Sequence, residues 1–240
     1  MTDSLHVLPV RTGGAAENMA SDFLLLQRYP HPGVARLRHY LWRAPSFTFG
    51  YSQKIAWVRS QLPPGGPFDL CRRPTGGGIV DHREDWTYAL VIPRGHPLEE
   101  VRATQSYRVI HEALAEALRA QGVPVDVKMV RDDDGHLPGV CFEQAEIYDV
   151  VNPATGAKLA GAAQKRNKHG LLFQGSIWRP ACGSGSSGPI DWDLFRAEFT
   201  AKIASALGLP AQPTPWPELN EGEVDGLVEQ YSSPEWIDHR

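Results

Sequence analysis

Several features that assign a protein to a class are scarce in this sequence. Three of its 240 residues are cysteines, at positions 71, 141 and 182, and none belongs to a CxxC pair. So sparse a set argues against a disulfide framework and against a structural zinc site. No run of about 18 apolar residues occurs, and residues 1–10 carry neither a basic nor an apolar segment, so no membrane span or signal peptide is expected. The sequence predicts a soluble, cytoplasmic protein with no bound metal.

An excess of one charge is also missing. Lys and Arg total 24 and Asp and Glu total 28, which gives a net charge of −4, and the basic residues are scattered. We therefore expect no nucleic-acid partner and no membrane partner. Apolar residues make up 42% of the chain and charged residues 22%, which is typical of a globular protein with a real core. The length predicts one domain over residues 1–240.

Hydrophobic periodicity predicts helices interspersed with strand pairs. Apolar residues at helical spacing indicate helices, and β-branched or aromatic runs bounded by Gly and Pro indicate strands. The expected helices cover residues 15–29, 98–121, 192–207 and 223–231. The expected strands cover 34–43, 47–50, 68–73, 87–92, 125–130, 147–152, 158–164 and 171–178. This order predicts an α+β fold with a mixed, largely antiparallel sheet flanked by helices. We also expect a flexible Gly/Ser-rich connector at 183–188 and a short C-terminal extension at 208–240.

The most informative segment contains three consecutive glycines, at residues 76–78, between two predicted strands. Glycines permit positive φ angles and let an anionic or carbonyl group lie against backbone N–H groups. Arg72 and Arg73 precede the glycines and can donate charge-assisted hydrogen bonds to a carboxylate or phosphate. His82 follows them, and either binds the ligand or holds the loop. The alternative is a tight hairpin turn without a ligand, and for the glycines alone both interpretations stay open.

Cys141 is the candidate nucleophile. It lies in the turn-rich segment LPGVCFE, and a loop thiol that can approach a cation forms a reactive thiolate. A buried, inert side chain is the commonest fate of a single cysteine, and the apolar strand around Cys71 predicts that fate there. Cys182 falls in the Gly/Ser-rich connector, where no role is expected.

A strand of small residues, KLAGAAQ at 158–164, is a second surface that a ligand can approach closely. Lys158 at its start can neutralise an acyl phosphate, stabilise an oxyanion or hold a nearby thiolate. An exposed surface position is the alternative for this lysine. Residues 164–170 are locally basic, and either form a solvated hairpin tip or meet phosphate or an acidic partner protein.

Four sequence blocks, in this order, resemble the lipoate branch of the biotin/lipoate protein ligase superfamily. They are RRPTGGGIVDH at 72–82, the Cys141-Phe142 pair, KLAGAAQKR at 158–166 and HGLLFQGSI at 169–177. The resemblance extends over residues 15–207. It implies the catalytic-domain fold of that superfamily, with an acyl chain in an apolar tunnel and its carbonyl near the glycine turn and the lysine.

The resemblance implies one of two chemistries. An octanoyltransferase takes its acyl group from acyl carrier protein as a thioester on Cys141, with Lys158 favouring the thiolate, and needs no cofactor. A lipoate ligase uses ATP and Mg²⁺ to form an acyl-adenylate, with Arg73 and residues 78–81 facing the nucleotide. Both deliver the group to a lysine of a lipoyl domain, as in 2-oxoacid dehydrogenase E2 and the glycine cleavage H protein. The residues implied to bind substrate are Arg72, Arg73, Thr75, Gly76, Gly77, Gly78, Ile79, Val80, Asp81, His82, Gly161, Ala163, Gln164 and Gly175.

Three functions follow from these observations. The transferase is expected, because a cysteine has a chemical task only in the thioester route, and because the residues after Leu207 are too few for the accessory domain of larger ligases. The ligase is the alternative, because Gly78 is ligase-like, whereas cysteine-loop transferases tend to place Arg there. A non-catalytic acyl-binding module is the third, since a fold does not by itself imply an activity.

Overall fold

The structure, a computed structural model, describes residues 4–130, 145–183, 185 and 188–239. The strands are β1 (Leu5–Val7), β2 (Arg11–Gly13), β3 (Ala35–Trp42), β4 (Ser46–Phe49), β5 (Asp69–Arg72), β6 (Ile79–Asp81), β7 (Asp85–Pro93), β8 (Asp126–Val127), β9 (Val150–Val151), β10 (Lys158–Asn167), β11 (Gly170–Trp178) and β12 (Ala211–Pro213). The helices are α1 (Ala15–Gln27), α2 (Ile55–Gln61), α3 (Pro97–Glu100), α4 (Ala103–Ala120), α5 (Arg179–Cys182), α6 (Trp192–Leu207), α7 (Glu221–Ser232) and α8 (Pro234–Ile237).

In the described residues, the main sheet has nine strands in the order β12-β1-β3-β7-β11-β10-β9-β8, with β2 paired beside β3. The strands from β3 through β7, β11 and β10 to β9 and β8 are antiparallel, whereas β1 pairs in parallel with β3 and β12, and β2 with β3. Every residue of β7 is buried, because this strand lies in the middle of the sheet with helices on both faces. The predicted α+β fold with a mixed, largely antiparallel sheet is confirmed.

A second sheet of three strands positions the glycine-rich segment. Its order is β5-β4-β6, with β4 parallel to β5 and antiparallel to β6. Among the described strands, β5 and β6 therefore pair with β4 and not with each other. The glycines at 76–78 form a crossover loop at the end of β4, and the hairpin interpretation is wrong.

Two apolar layers enclose the main sheet. On one face α4 and α6 pack together and bury a stripe that includes Leu114, Leu118, Phe195 and Phe199. Each of these side chains contributes roughly 1.5–3 kcal/mol to stability through its transfer from water. On the other face α1 packs against the sheet through Leu25 and Leu26 and against α7 at its outer side. None of the helices in the described part of the chain is long and apolar enough to span a membrane.

The C-terminal residues are part of this fold. The helix α7 packs on α1, and Tyr231 is buried in the same apolar cluster as Met19 and Cys71. The helix α8 lies against β5, where Arg72 donates hydrogen bonds to the carbonyls of Trp236 and Ile237. The predicted extension at 208–240 is thus tied to both the first helix and the second sheet.

One predicted helix is interrupted. The segment 98–121 is divided into α3 and α4, because Val101 and Arg102 adopt extended backbone conformations, with ψ angles of 166° and 148°. Val101 lies between the two helices, and its carbonyl accepts a hydrogen bond from the Arg166 guanidinium on β10. Of the predicted connector at 183–188, the structure describes residues 183, 185 and 188, and its flexibility remains a prediction.

Candidate active site

A narrow cavity of about 40 Å³ lies between the glycine loop and the middle of β10 and β11. Eight of the predicted binding residues line it: Arg73, Gly77, Gly78, Val80, His82, Gly161, Ala163 and Gly175. Seven further residues complete its walls: Met19, Tyr40, Thr48, Thr87, Ala162, Gln174 and Ser176. The fold thus brings the two glycine-bearing segments of the sequence to opposite walls of one cavity.

Arg73 holds the glycine loop in shape. Its Nη2 donates to the carbonyls of Gly76 and Gly78, both at 2.9 Å, and Gly77 between them has a φ of 92°. A Cβ built on Gly50 lies 2.1 Å from the carbonyl oxygen of Gly77, so only a glycine fits at the end of β4. The loop is therefore a rigid turn whose carbonyls face Arg73 and Gly50.

A buried polar chain anchors the loop to α1. The Thr75 hydroxyl donates to the Gln174 side-chain oxygen at 2.7 Å, and the Gln174 amide donates to Asp22 at 2.7 Å. Asp22 also accepts from Arg38 at 2.7 Å and from Tyr40 at 3.2 Å. Buried polar groups that satisfy one another in this way favour one rigid arrangement.

A second polar chain forms the wall of the cavity nearest β4. His82 lies between Thr48, at 2.6 Å from its Nε2, and Asp85, at 2.7 Å from its Nδ1. The imidazole stacks on Trp42 with a centroid distance of 4.0 Å, and His82 is 7% exposed. His82 therefore contributes to the cavity and braces β6 against β4 and β7.

Lys158 and Asp149 form a buried ion pair beside Gly161, which lines the cavity. The Lys158 ammonium lies 2.7 Å from Oδ2 of Asp149, and both side chains are less than a tenth exposed. A Cβ on Gly161 would lie 2.9 Å from the Lys158 ammonium and 2.8 Å from Oδ1 of Asp149, so this glycine makes room for the pair beside the cavity. Tyr148, with a positive φ of 71°, turns the chain so that Asp149 faces inward. The alternative of an exposed surface position for Lys158 is excluded, because this residue is 8% exposed and its ammonium is paired with Asp149.

The other predicted site residues serve the frame around the cavity. Arg72 donates to the carbonyls of Tyr51 and Gln53 and to those of α8, and is completely buried there. Three other predicted binding side chains also point elsewhere. Asp81 pairs with Arg83, Ile79 packs in the core of the second sheet, and the Gln164 amide donates to the Ala103 carbonyl. Arg72, Asp81, Ile79 and Gln164 are thus not among the described residues that line the cavity, and their contact with substrate stays a prediction.

Gly175 has a packing role besides lining the cavity. A Cβ at this position would lie 2.1 Å from the ring of Tyr88, which is completely buried on the neighbouring strand β7. The glycine thus lets the Tyr88 ring lie flat against β11.

The two described cysteines are unsuited to nucleophilic chemistry. Burial raises the pKa of the Cys71 thiol to about 12 and that of the Cys182 thiol to about 12. A neutral thiol at physiological pH is a poor nucleophile. The burial predicted for Cys71 is confirmed, and Cys182 ends α5 as a buried residue. Cys141 lies in segment 131–144, outside the described residues.

Sequence reasoning missed Gly50, Thr48, Asp85 and Asp149. Gly50 and Thr48 precede the glycine loop by more than twenty residues, and neither belongs to a recognisable motif. The sequence gives a weak indication for Asp85 and Asp149. Asp85 follows the glycine-rich segment and could partner His82, and Asp149 follows the Cys141 segment and could partner Lys158. Without the fold, nothing in their spacing distinguishes them from surface carboxylates.

A larger cavity, of about 770 Å³, lies on the opposite face of the main sheet, between β1, β3 and α6. Leu37, His39, Trp86 and Phe199 are among its walls, and the His39 ring stacks on Trp86 at 4.3 Å. None of the predicted site residues is among the described residues that line it.

Comparison with known proteins agrees with this arrangement. Residues 14–179 match the family model of the lipoyl protein ligase A/B catalytic domain. The chain is 26% identical to an octanoyltransferase LipM of Exiguobacterium sp., with 97% of both chains covered. It is 32% identical to an octanoyltransferase LipM of Macrococcus caseolyticus, with 93% of this chain and 94% of the relative covered.

A solved structure shows the same fold at lower sequence identity. It is that of a putative lipoate protein ligase from T. acidophilum with bound lipoic acid, which superposes with a TM-score of 0.75 at 19% identity over 99% of both chains. At this identity the likeness concerns the fold alone. The match to the family model covers more than half of the sequence. The glycine loop of the predicted resemblance lines the cavity, and its lysine lies behind Gly161 at the cavity wall. The chain belongs to the family of lipoyl protein ligase A/B catalytic domains.

Proposed function

We propose that the protein is an octanoyltransferase that carries an octanoyl group as a thioester on Cys141 and delivers it to a lysine of a lipoyl domain. The observation that carries this proposal is the similarity to octanoyltransferases over nearly the whole of both chains. The buried cation of Lys158 beside a narrow cavity supports it independently. Protein lipoylation through this family of acyltransferases is the activity that both observations fit.

In this proposal the cavity binds the reacting end of the acyl group. The backbone N–H groups around Gly76, Gly77 and Gly78 and the ammonium of Lys158 stabilise the oxyanion that forms when the thioester carbonyl is attacked. Preorganised donors in a site that excludes water are the largest source of such stabilisation. The rigid loop braced by Arg73 is suited to this task, because its donors need no rearrangement during the reaction.

Cys141 remains the candidate nucleophile. The other two cysteines are buried, and their thiol pKa values are raised. A thiolate on Cys141 attacks the carrier thioester, and the carrier thiolate leaves. Lys158 favours the thiolate in the manner that the family resemblance implies.

The ATP-dependent ligase is less well supported. That alternative places Arg73 and Asp81 toward a nucleotide, whereas Arg73 binds Thr48 and two loop carbonyls, and Asp81 pairs with Arg83. Octanoyl transfer between thioesters and amines requires no cofactor. We therefore propose acyl carrier protein as the donor, and the lipoyl domains of 2-oxoacid dehydrogenases and the glycine cleavage H protein as acceptors, in the cytoplasm.

Mass spectrometry tests this function. Incubation with octanoyl-acyl carrier protein should add one octanoyl group to the intact protein, and peptide mapping should locate it on Cys141. Cys141→Ala should abolish both the adduct and transfer to a lipoyl domain, whereas Cys182→Ala, the matched control, should retain them. Full transfer by Cys141→Ala, or loading of free octanoate that depends on ATP, would show that the thioester route is wrong.

A further inference from the structure

A hydroxyl, an imidazole and a carboxylate stand in a row at one wall of the cavity. Oγ1 of Thr48 lies 2.6 Å from Nε2 of His82, and Nδ1 of His82 lies 2.7 Å from Oδ2 of Asp85. Thr48 and His82 both line the cavity, and Asp85 is buried behind them. Serine hydrolases use the same three groups, in this order, to move a proton.

The hydrogen-bond partners set the direction of this chain. An ionised carboxylate can only accept, so Asp85 fixes the imidazole proton on Nδ1 and leaves Nε2 as an acceptor. Nη1 of Arg73 donates to Oγ1 of Thr48 at 2.8 Å. The hydrogen of the Thr48 hydroxyl is therefore directed at Nε2 of His82, and a proton can pass from the cavity through Thr48 to His82.

Asp85 is arranged to stabilise a protonated His82. Its Oδ2 accepts hydrogen bonds from His82, from Thr87 at 2.8 Å and from Ser176 at 2.5 Å. Its Oδ1 is buried and has no hydrogen-bond partner among the described residues. A buried carboxylate is costly unless hydrogen-bond donors or a positive charge lie close to it, and the His82 ring lies in that place. The stacking of the ring on Trp42 fixes the imidazole in place.

The proposed reaction contains a step that needs such a base. The acceptor lysine is an ammonium at neutral pH and cannot attack a thioester until it loses a proton. Lys158 is a poor candidate for accepting it, because its own charge is paired with Asp149 at 2.7 Å. Within the described part of the chain, the charged groups linked to His82 by hydrogen bonds are Asp85 on β7 and, through Thr48, Arg73 after β5.

Building on the proposed octanoyl transfer, we infer that Thr48 and His82 form a proton relay that deprotonates the acceptor lysine. The lysine gives a proton to Oγ1 of Thr48 while the Thr48 hydroxyl proton moves to Nε2 of His82. The neutral amine then attacks the thioester, so that a C–N bond forms and the C–S bond to Cys141 breaks. The departing thiolate takes the second proton of the amine, and His82 releases the first to solvent. Asp85 is a positioning residue that acts through His82.

Rapid-quench kinetics of the two half-reactions test the relay. In His82→Gln and Thr48→Val, formation of the octanoyl-enzyme from octanoyl-acyl carrier protein should stay within about threefold of the unmodified protein. Transfer from that octanoyl-enzyme to a lipoyl domain should fall by about 100-fold or more, since general acid–base catalysis typically contributes about 10²–10⁴-fold. Thr48→Ser, which keeps the hydroxyl, should restore most of the transfer rate.

Attack by a neutral nucleophile distinguishes a proton relay through His82 from a purely structural role of this residue. Hydroxylamine is largely unprotonated at neutral pH, so its attack on the octanoyl-enzyme should be nearly unchanged in His82→Gln. Loss of both reactions would show that His82 only braces the loop. His39→Gln is the matched control, because His39 lies on the opposite face of the sheet, and it should transfer normally.

The inference and the proposed function fail in different ways. A normal octanoyl-enzyme that transfers at the unmodified rate in both His82→Gln and Thr48→Val overturns the relay alone. Absence of any octanoyl-enzyme in the unmodified protein overturns the proposed function, and the relay with it.

Discussion

The ion pair between Lys158 and Asp149 requires two charges to be buried, which costs free energy, and it places an ammonium close to the cavity. Both side chains are less than a tenth exposed, and the charged atoms are 2.7 Å apart. Removal of one partner of a buried pair typically costs roughly 3–5 kcal/mol, because the other charge remains buried without its counterion. A well-packed apolar pair at the same positions can be equally stable. The pair is therefore better explained by the role proposed for its ammonium beside the cavity than by what it adds to stability.

A double-mutant cycle separates these two contributions. We expect Asp149→Asn to lower the free energy of unfolding by roughly 3 kcal/mol, because the Lys158 ammonium loses this carboxylate. Lys158→Met should abolish octanoyl transfer, and the double variant should regain at least half of the lost stability without regaining activity. Urea denaturation and the transfer assay measure the two effects. Additive losses in stability, or a double variant that is active, would contradict this account.

At the scale of secondary-structure elements, the cavity depends on a close approach of two backbone segments. Gly50 ends β4 directly against Gly77, with no space for a side chain between them. The position of the glycine loop is therefore set by a residue outside the glycine motif.

Gly50→Ala should displace the glycine loop. The added Cβ would lie 2.1 Å from the carbonyl oxygen of Gly77, and overpacking of this kind costs typically 1–3 kcal/mol. A shift of about 1 Å in the donors can lower the rate of a reaction about 100-fold. The rate of octanoyl transfer should therefore fall steeply even though most of the protein stays folded. Gly226→Ala is the control. Gly226 lies in the middle of α7, and a Cβ built on it has no other atom within 4 Å. This change should therefore raise stability by about 0.5–1 kcal/mol and leave activity unchanged. Equal activity in the two variants would contradict the role of Gly50.

The elements that the sequence predicts well are long and are bounded by recognisable caps. The helix α6 begins and ends at the predicted residues, between the side-chain cap of Asp191 and the left-handed Gly208. The strands β1, β2, β6 and β12 have three residues each, too few for an alternating pattern to emerge, and they depend on neighbours that the sequence does not reveal. For the same reason, the glycine motif could be found from the sequence, but its crossover between β5 and β6 could not.

At the scale of the whole molecule, buried histidines couple stability to pH. His111 on α4 is 1% exposed, its Nδ1 donates to the carbonyl of Tyr148, and its Nε2 has no hydrogen-bond partner among the described residues. Burial lowers the pKa of His111, although the carboxylate of Asp149 partly opposes this effect. Burial also lowers the pKa of His39. In the unfolded chain each imidazole takes up its proton at about pH 6.5.

The free energy of unfolding should therefore fall as the pH drops below about 6.5, because the unfolded chain then binds more protons than the folded one. His111→Gln should weaken this dependence, since the variant has no imidazole to protonate beside Tyr148. Urea denaturation at pH 7.5, 6.5 and 5.5 measures the slope, and the exposed His31→Gln is the matched control. If His111→Gln and His31→Gln show the same slope as the unmodified protein, the acid sensitivity has another origin. A reduced slope in His111→Gln alone would link the packing of α4 to the backbone turn that holds Asp149 against Lys158.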